Sequence, residues 1–159
     1  MSRQKITTFL WFDHQAEDAA NFYVSLFKDS KIPNIVRCGP GGPGPEGSAL
    51  TVEFQLAGTT YVGLNGGPHF KFTEAISLAI DCESQAEIDF FWTRLCEGGQ
   101  PSQCGWLKDK YGLSWQVVPS IMPKLLGGPD PTRSGRAMQV MMQMTKLDIQ
   151  KLQDAYDGK

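Results

Sequence analysis

The feature that most constrains this chain is that it runs through one order of elements twice. Ile6-Thr-Thr-Phe-Leu-Trp-Phe12 is dense in branched and aromatic residues and reads as a strand. Ala16 to Phe27 then reads as a helix, with Ala19, Phe22, Tyr23 and Leu26 on one face. Ile32–Arg37, Leu50–Leu56 and Tyr61–Leu64 follow as strands. The order restarts with a strand at Ala75–Ile80 and a helix at Gln85–Glu97, whose apolar face is Ile88, Phe91, Trp92 and Leu95. Strands at Gly105–Lys108 and Leu113–Val118 flank the turn Asp109-Lys-Tyr-Gly112. Gln15-Ala-Glu17 recurs as Gln85-Ala-Glu87 at the start of the second helix. A repeat of about 70 residues exceeds the roughly 20–50-residue unit of a solenoid. The pattern predicts an α+β fold of two βαβββ modules, over residues 1–68 and 69–120, followed by a helical tail over 121–159.

Charge and cysteine usage narrow the function classes. Lys and Arg number 15 against 17 Asp and Glu, so the chain lacks the cationic excess of a general nucleic-acid binder. No apolar run approaches the ~20 residues that span a bilayer. Met1-Ser-Arg-Gln-Lys5 leads into a strand rather than an apolar leader, and the expected compartment is the cytoplasm. Cys38, Cys82, Cys96 and Cys104 form no C-x-x-C pair and there are two histidines, a set that does not build a structural zinc site. Reduced thiols are expected. Gly39-Pro-Gly-Gly-Pro-Gly-Pro-Glu-Gly47 is the one glycine-rich stretch. Its prolines remove N–H donors and no helix follows it, so it reads as a hairpin loop rather than a nucleotide cradle.

In the tail, Pro119–Leu126 makes a short helical turn, Gly127-Gly-Pro129 breaks it, and Asp130 with Pro131 starts a helix to about Met144. Lys146–Tyr156 adds a last helix. Met138, Met141, Met142, Met144, Leu147, Ile149 and Leu152 exceed one narrow apolar stripe, so this tail must fold back on its own modules or dock on a second chain.

Phe9-Leu-Trp-Phe-Asp13 with Ala16-Glu-Asp-Ala-Ala-Asn-Phe-Tyr23, Leu64-Asn-Gly-Gly-Pro-His-Phe-Lys-Phe72, Cys104–Pro119 and the Arg136–Tyr156 tail resemble the vicinal-oxygen-chelate superfamily. Within it they resemble the PhnB-like family that carries the description 3-demethylubiquinone-9 3-methyltransferase. The resemblance implies curved sheets around a cup, and a homodimer. Superfamily members include glyoxalases, ring-cleaving dioxygenases and antibiotic-binding proteins, so the fold leaves the reaction open. The resemblance puts the superfamily's metal-ligand positions at or beside Thr8, Ser77 and Gln116. That set carries no charge and suits a divalent cation poorly, with Glu53 or Glu74 as the carboxylates that a slip in register would bring in.

The expectation is therefore no metal and no cofactor, and a small apolar or aromatic ligand in the cup. The cup would be lined by Phe12, Asn65, His69, Phe72, Ser77, Trp106 and Gln116. Strand alternation puts Ser114, Gln116 and Val118 on one face with Trp115 under the helix layer; likewise Thr8, Leu10 and Phe12 oppose Phe9 and Trp11. His69 is the candidate base, with His14 a loop residue, and Cys104 the weaker candidate nucleophile. The alternatives are a metal-dependent lyase or dioxygenase, the quinone methyltransferase of the family description, and a partner-binding module built on the Met-rich tail.

Overall fold

A computed structural model describes residues 4–159; the reading of the leading Met1–Arg3 lies outside the described residues. The chain divides into two compact units, one ending at Phe72 and the other spanning Thr73–Lys159. The helical tail is part of the second unit.

In the first unit, β1 (Thr8–Phe12), α1 (Ala16–Leu26), β2 (Lys31–Arg37), β3 (Ala49–Leu56) and β4 (Thr59–Asn65) form one βαβββ module. Its sheet has the order β1-β4-β3-β2, with β1 parallel to β4 and the other pairs antiparallel. Val52, Phe54 and Leu56 of β3 are buried, as are Ala16, Ala19, Ala20, Tyr23 and Leu26 of α1. The alanines bring the helix close: a Cβ on Gly63 would lie 3.1 Å from that of Ala16. Tyr23 packs its ring 6.1 Å from Phe54, which stacks on Tyr61. β2 carries Pro33 and a register shift between Lys31 and Asn34, features that belong on an edge strand because proline donates no ladder hydrogen bond. The glycine- and proline-rich stretch is the loop of the β2–β3 hairpin, closed by Cys38 N–H to Ser48 O (2.8 Å) and Gly47 N–H to Cys38 O (2.8 Å).

The second unit repeats the topology with β5 (Ser77–Cys82), α2 (Gln85–Cys96), β6 (Gln100–Pro101), β7 (Trp106–Lys108) and β8 (Ser114–Pro119), in the order β5-β8-β7-β6. The two-residue β6 was not visible in the sequence, since Gly98-Gly-Gln-Pro101 has the composition of a turn. Ile88, Phe91 and Leu95 of α2 pack with the buried Leu107, Trp115 and Val117. Ser84 caps α2 by accepting from Glu87 N–H.

The tail forms α3 (Met122–Gly127), α4 (Pro131–Met141) and α5 (Ile149–Asp157). Met122, Leu125, Ala137, Leu147, Leu152 and Tyr156 make its core. Gln85 ties it to α2, donating to Leu147 O (3.1 Å) and accepting from Ile149 N–H (2.9 Å). Arg136 donates to Ala155 O and Tyr156 O, and Arg133 to Tyr156 O, satisfying carbonyls at the α5 C-terminus. Of the apolar residues that crowd the tail, Leu147 and Leu152 sit in this core and Met141 and Met144 pack against it. Met138 and Met142 stay exposed, while Leu147 and Leu152 are buried at home.

Candidate functional site

Strand pairing fixes which side chains share a face. In the second sheet Ser77 pairs with Ser114, Ala79 with Gln116, Trp106 with Gln116 and Lys108 with Ser114. Leu78, Ile80, Leu107, Trp115 and Val117 alternate onto the α2 side, so Ser77, Ser114, Gln116, Trp106 and Lys108 share the face turned away from the helix. Here the structure brings together three of the sequence-predicted ligand residues. Gln116 Nε2 donates to Ser77 Oγ at 2.9 Å, and Trp106 stands directly across from Gln116. Two further members went unnamed as site residues in the sequence reading. Ser114 was placed on the right face but not in the site, and Lys108 follows from Trp106 by the same two-residue step. A cleft of about 230 Å³ opens here, lined by Trp106, Lys108, Ser114, Glu74, Gln100 and Ser102 among others. Lys108 holds the Glu74 carboxylate in an ion pair, and that hydrogen bond keeps the Glu74 carboxyl below the usual carboxylate range. Ser114 is 1% exposed, and its hydroxyl oxygen has no hydrogen-bond partner.

In the first unit the phase differs from expectation. Phe12 is 2% exposed and faces α1: its ring lies 3.4 Å from where a Gly63 Cβ would sit, and it meets Phe72 edge-on at 5.2 Å. Phe12 and Phe72 are therefore packing residues of that unit, not lining of the opposite face. Thr8 shares the α1 side with Phe12, because both alternate with Phe9 and Trp11. The positions turned away from α1 are Phe9, Trp11, Val62 and Leu64, with Glu53 beside them on β3. Of the residues at or beside the first-strand position, Thr8 itself is on the α1 side and its neighbour Phe9 on the opposite face.

Asn65 is committed to the scaffold. Its Oδ1 accepts from Ala16 N–H (2.8 Å), an otherwise unpaired donor at the start of α1, and its Nδ2 donates to Ala49 O (2.9 Å). Asn65 and His69 line a larger cleft of about 800 Å³ in the first unit, with Trp11, His14, Glu17 and Cys38. Size does not make it the better site. Trp11 Nε1 donates to Gly67 O, Glu17 is held by Arg37, His14 lies exposed 3.6 Å from Asp13, and His69 is exposed. The second-sheet cleft is smaller but holds a cation, an aromatic plane and an unsatisfied hydroxyl on one face.

The cysteines separate by environment. Cys104 is half-buried in a left-handed turn (φ 58°), its N–H donating to Met144 O, and so it anchors the loop before β7 to the tail. Cys82 is fully buried, and burial, with the Glu87 and Asp81 charges behind it, pushes its thiol up to about 12. Native protein at pH 8 should therefore leave Cys82 unmodified by iodoacetamide, while Cys104 reacts. Mass mapping of the labelled peptides checks this, and labelling of Cys82 at the Cys104 rate would overturn it.

The positions that the superfamily resemblance gives do not suit a divalent cation. Thr8 lies on the α1 side, and Ser77 and Gln116 are neutral and bonded to each other. On the face of the first sheet turned away from α1, Phe9, Trp11, Val62 and Leu64 supply no ligand atom, and Glu53 is the carboxylate beside them.

Comparison with known proteins agrees with the topology. A family model described as 3-demethylubiquinone-9 3-methyltransferase matches residues 4–118. A PhnB protein from Bacillus cereus with the same description is 41% identical, with a TM-score of 0.69, over 73% of this chain and 99% of that one. Protein PA1353 from Pseudomonas aeruginosa, 16% identical, shares the fold with a TM-score of 0.61 over 74% of this chain and 98% of its own. No curated protein matches. The family match ends at residue 118, so the tail from Arg136 to Tyr156, counted in the sequence resemblance, lies outside it. The paired βαβββ topology and the match over both modules place this chain in the PhnB-like family described as 3-demethylubiquinone-9 3-methyltransferase, within the vicinal-oxygen-chelate superfamily.

Proposed function

We propose that this chain binds a small planar, apolar or aromatic molecule against the face of the second sheet turned away from α2, and that it does so without a metal ion. The observation that carries this reading is the Ser77–Gln116 hydrogen bond beside Trp106. Where superfamily resemblance implies charged metal ligands, this chain has a neutral amide and hydroxyl joined to each other. The indole next to them supplies the large, rigid apolar surface on which a flat ring is held. Gln116 keeps a carbonyl oxygen free of that bond, and this oxygen can orient a ligand hydroxyl or N–H.

Methyl transfer, the reaction in the family description, finds less support. Gly39–Gly47 runs between two antiparallel strands and precedes no helix, so the N–H groups that cradle a nucleotide-like cofactor are not assembled there.

Tryptophan fluorescence during titration with neutral aromatics such as phenol and 1,4-naphthoquinone tests the binding. Quenching that disappears in Trp106→Phe and is unchanged by EDTA is expected. Gln116→Leu should weaken binding about fivefold, the equivalent of one ordinary hydrogen bond. Quenching that persists in Trp106→Phe, or that needs an added divalent metal, would sink the reading. Calorimetric binding of S-adenosylmethionine at one site per chain would favour the methyltransferase instead.

A further inference from the structure

The second-sheet cleft contains more charge chemistry than a purely apolar ligand needs. Lys108 and Ser114 are direct cross-strand partners on one face, with side chains as close as neighbouring strands bring them. Ser114 has a buried hydroxyl with no partner, although buried polar groups are nearly always satisfied in a folded protein. The Lys108 ammonium is satisfied by Glu74, a residue 62% exposed on the segment that leads into β5. Exposed ion pairs of this kind are weak, because both partners stay hydrated and both long side chains must be held. Trp106 lines the same cleft two residues from Lys108.

We infer that the ligand of this site is a small aromatic carboxylate, its carboxylate taking the place of Glu74 on Lys108 and accepting the Ser114 hydroxyl, its ring lying on Trp106. The inference rests on the binding reading above and adds the class of ligand. Glu74 shows what the cleft accepts: a carboxylate on Lys108 at the rim. A free carboxylate reaching deeper would use the same cation and also give the Ser114 proton an acceptor, which Glu74 does not do. A ligand thus exchanges a weak internal pair for a charge-assisted bond to each of two groups, and the orphaned hydroxyl becomes satisfied. Ser77 and Gln116, bonded to each other one step along the face, are left to contact the ring edge or a ring substituent.

The test compares benzoate with benzamide, a neutral molecule of nearly the same shape, by fluorescence titration and calorimetry on the full chain. Benzoate should bind about tenfold or more tightly than benzamide, the margin that a charge-assisted hydrogen bond supplies. Lys108→Met should weaken benzoate and leave benzamide nearly unchanged, narrowing that margin. Ser114→Ala should weaken benzoate about fivefold or more while barely affecting benzamide. Glu74→Gln is an exposed change that leaves the scaffold intact, and it should tighten benzoate a few-fold by removing the internal competitor. Equal binding of benzoate and benzamide to the native chain, with Trp106 responding to both, would overturn the carboxylate inference and leave the general binding reading standing. Benzamide binding with no benzoate binding at millimolar concentration would also overturn it. Failure of both ligands and of the neutral aromatics would remove both readings together. Benzoate binding that is unchanged in both Lys108→Met and Glu74→Gln would place the carboxylate elsewhere and end the assignment.

Discussion

Asp109→Ala should destabilise the chain by about 3 kcal/mol or more, because it strands several donors in a dry place at once. Asp109 is 3% exposed. One carboxylate oxygen accepts from Tyr111 N–H (2.8 Å) and Leu113 N–H (3.1 Å), and the other from the indole N–H of Trp115 (2.9 Å). The backbone of the same residue closes the β7–β8 turn, through Asp109 N–H to Leu113 O and Gly112 N–H to Asp109 O. The carboxylate therefore holds the turn to the largest fully buried side chain of the second unit. Urea denaturation followed by far-UV circular dichroism measures the loss as a fall in midpoint at unchanged slope. Asp109→Asn keeps an oxygen for the two backbone donors but points its own N–H₂ at Trp115. A Trp115→Phe background removes that conflict, so the Asn substitution should cost clearly less there. A loss under about 0.5 kcal/mol for Asp109→Ala, the range of an ordinary surface substitution, would show that the turn does not depend on it.

Gly105→Ala should cost a similar amount for a different reason. Gly105 has φ 82°, which a side chain tolerates poorly. A Cβ there would also stand 2.9 Å from Val117 O and 2.9 Å from Leu147 Cδ1, the first a fixed backbone atom. Gly105 N–H donates to Thr145 O and its carbonyl accepts from Val117 N–H, so the residue joins β8 to the tail. Strain and clash together are expected to exceed about 2–3 kcal/mol. Gly112→Ala is the control: its φ is 87° but nothing lies within 4 Å of the added carbon. It should show the conformational penalty alone, about 1–2 kcal/mol. Leu147→Ala does not rescue Gly105→Ala if the Val117 carbonyl is the hard obstacle. Equal losses for Gly105→Ala and Gly112→Ala would mean that the tail yields to the added methyl group.

Much of this molecule follows from local sequence. Each βαβββ module is legible because its elements carry their own periodicity: Ala19, Tyr23 and Leu26 are buried along α1, and Ile88, Phe91 and Leu95 along α2. Alternation within β8 correctly divides Trp115 and Val117 from Ser114 and Gln116, since successive strand residues point to opposite faces whatever surrounds them. Asp130 caps α4 as its residue type and position require.

Absolute phase and partner choice were not local. Phe12 and Thr8 fell on the α1 side because the pairing of β1 with β4 sets which face the helix covers, and a one-residue error moves every side chain across the sheet. Asn65 looked like a free polar anchor until the fold brought Ala16 and Ala49 to it from far along the chain. The echoed glutamines diverged for the same reason. Gln15 makes no side-chain cap at α1, whereas Gln85 binds the 147–149 segment of a tail that only the second module possesses. Lys108, Ser114 and Glu74 form a cluster only when β7 and β8 pair and the segment before β5 folds onto them. The sequence by itself determined the elements and the order in which they repeat, because periodicity and turn chemistry act over a few residues. The tertiary structure alone decided which polar groups are used up by the scaffold and which are left for a ligand, because a hydrogen bond is spent or available only once distant strands have chosen their partners.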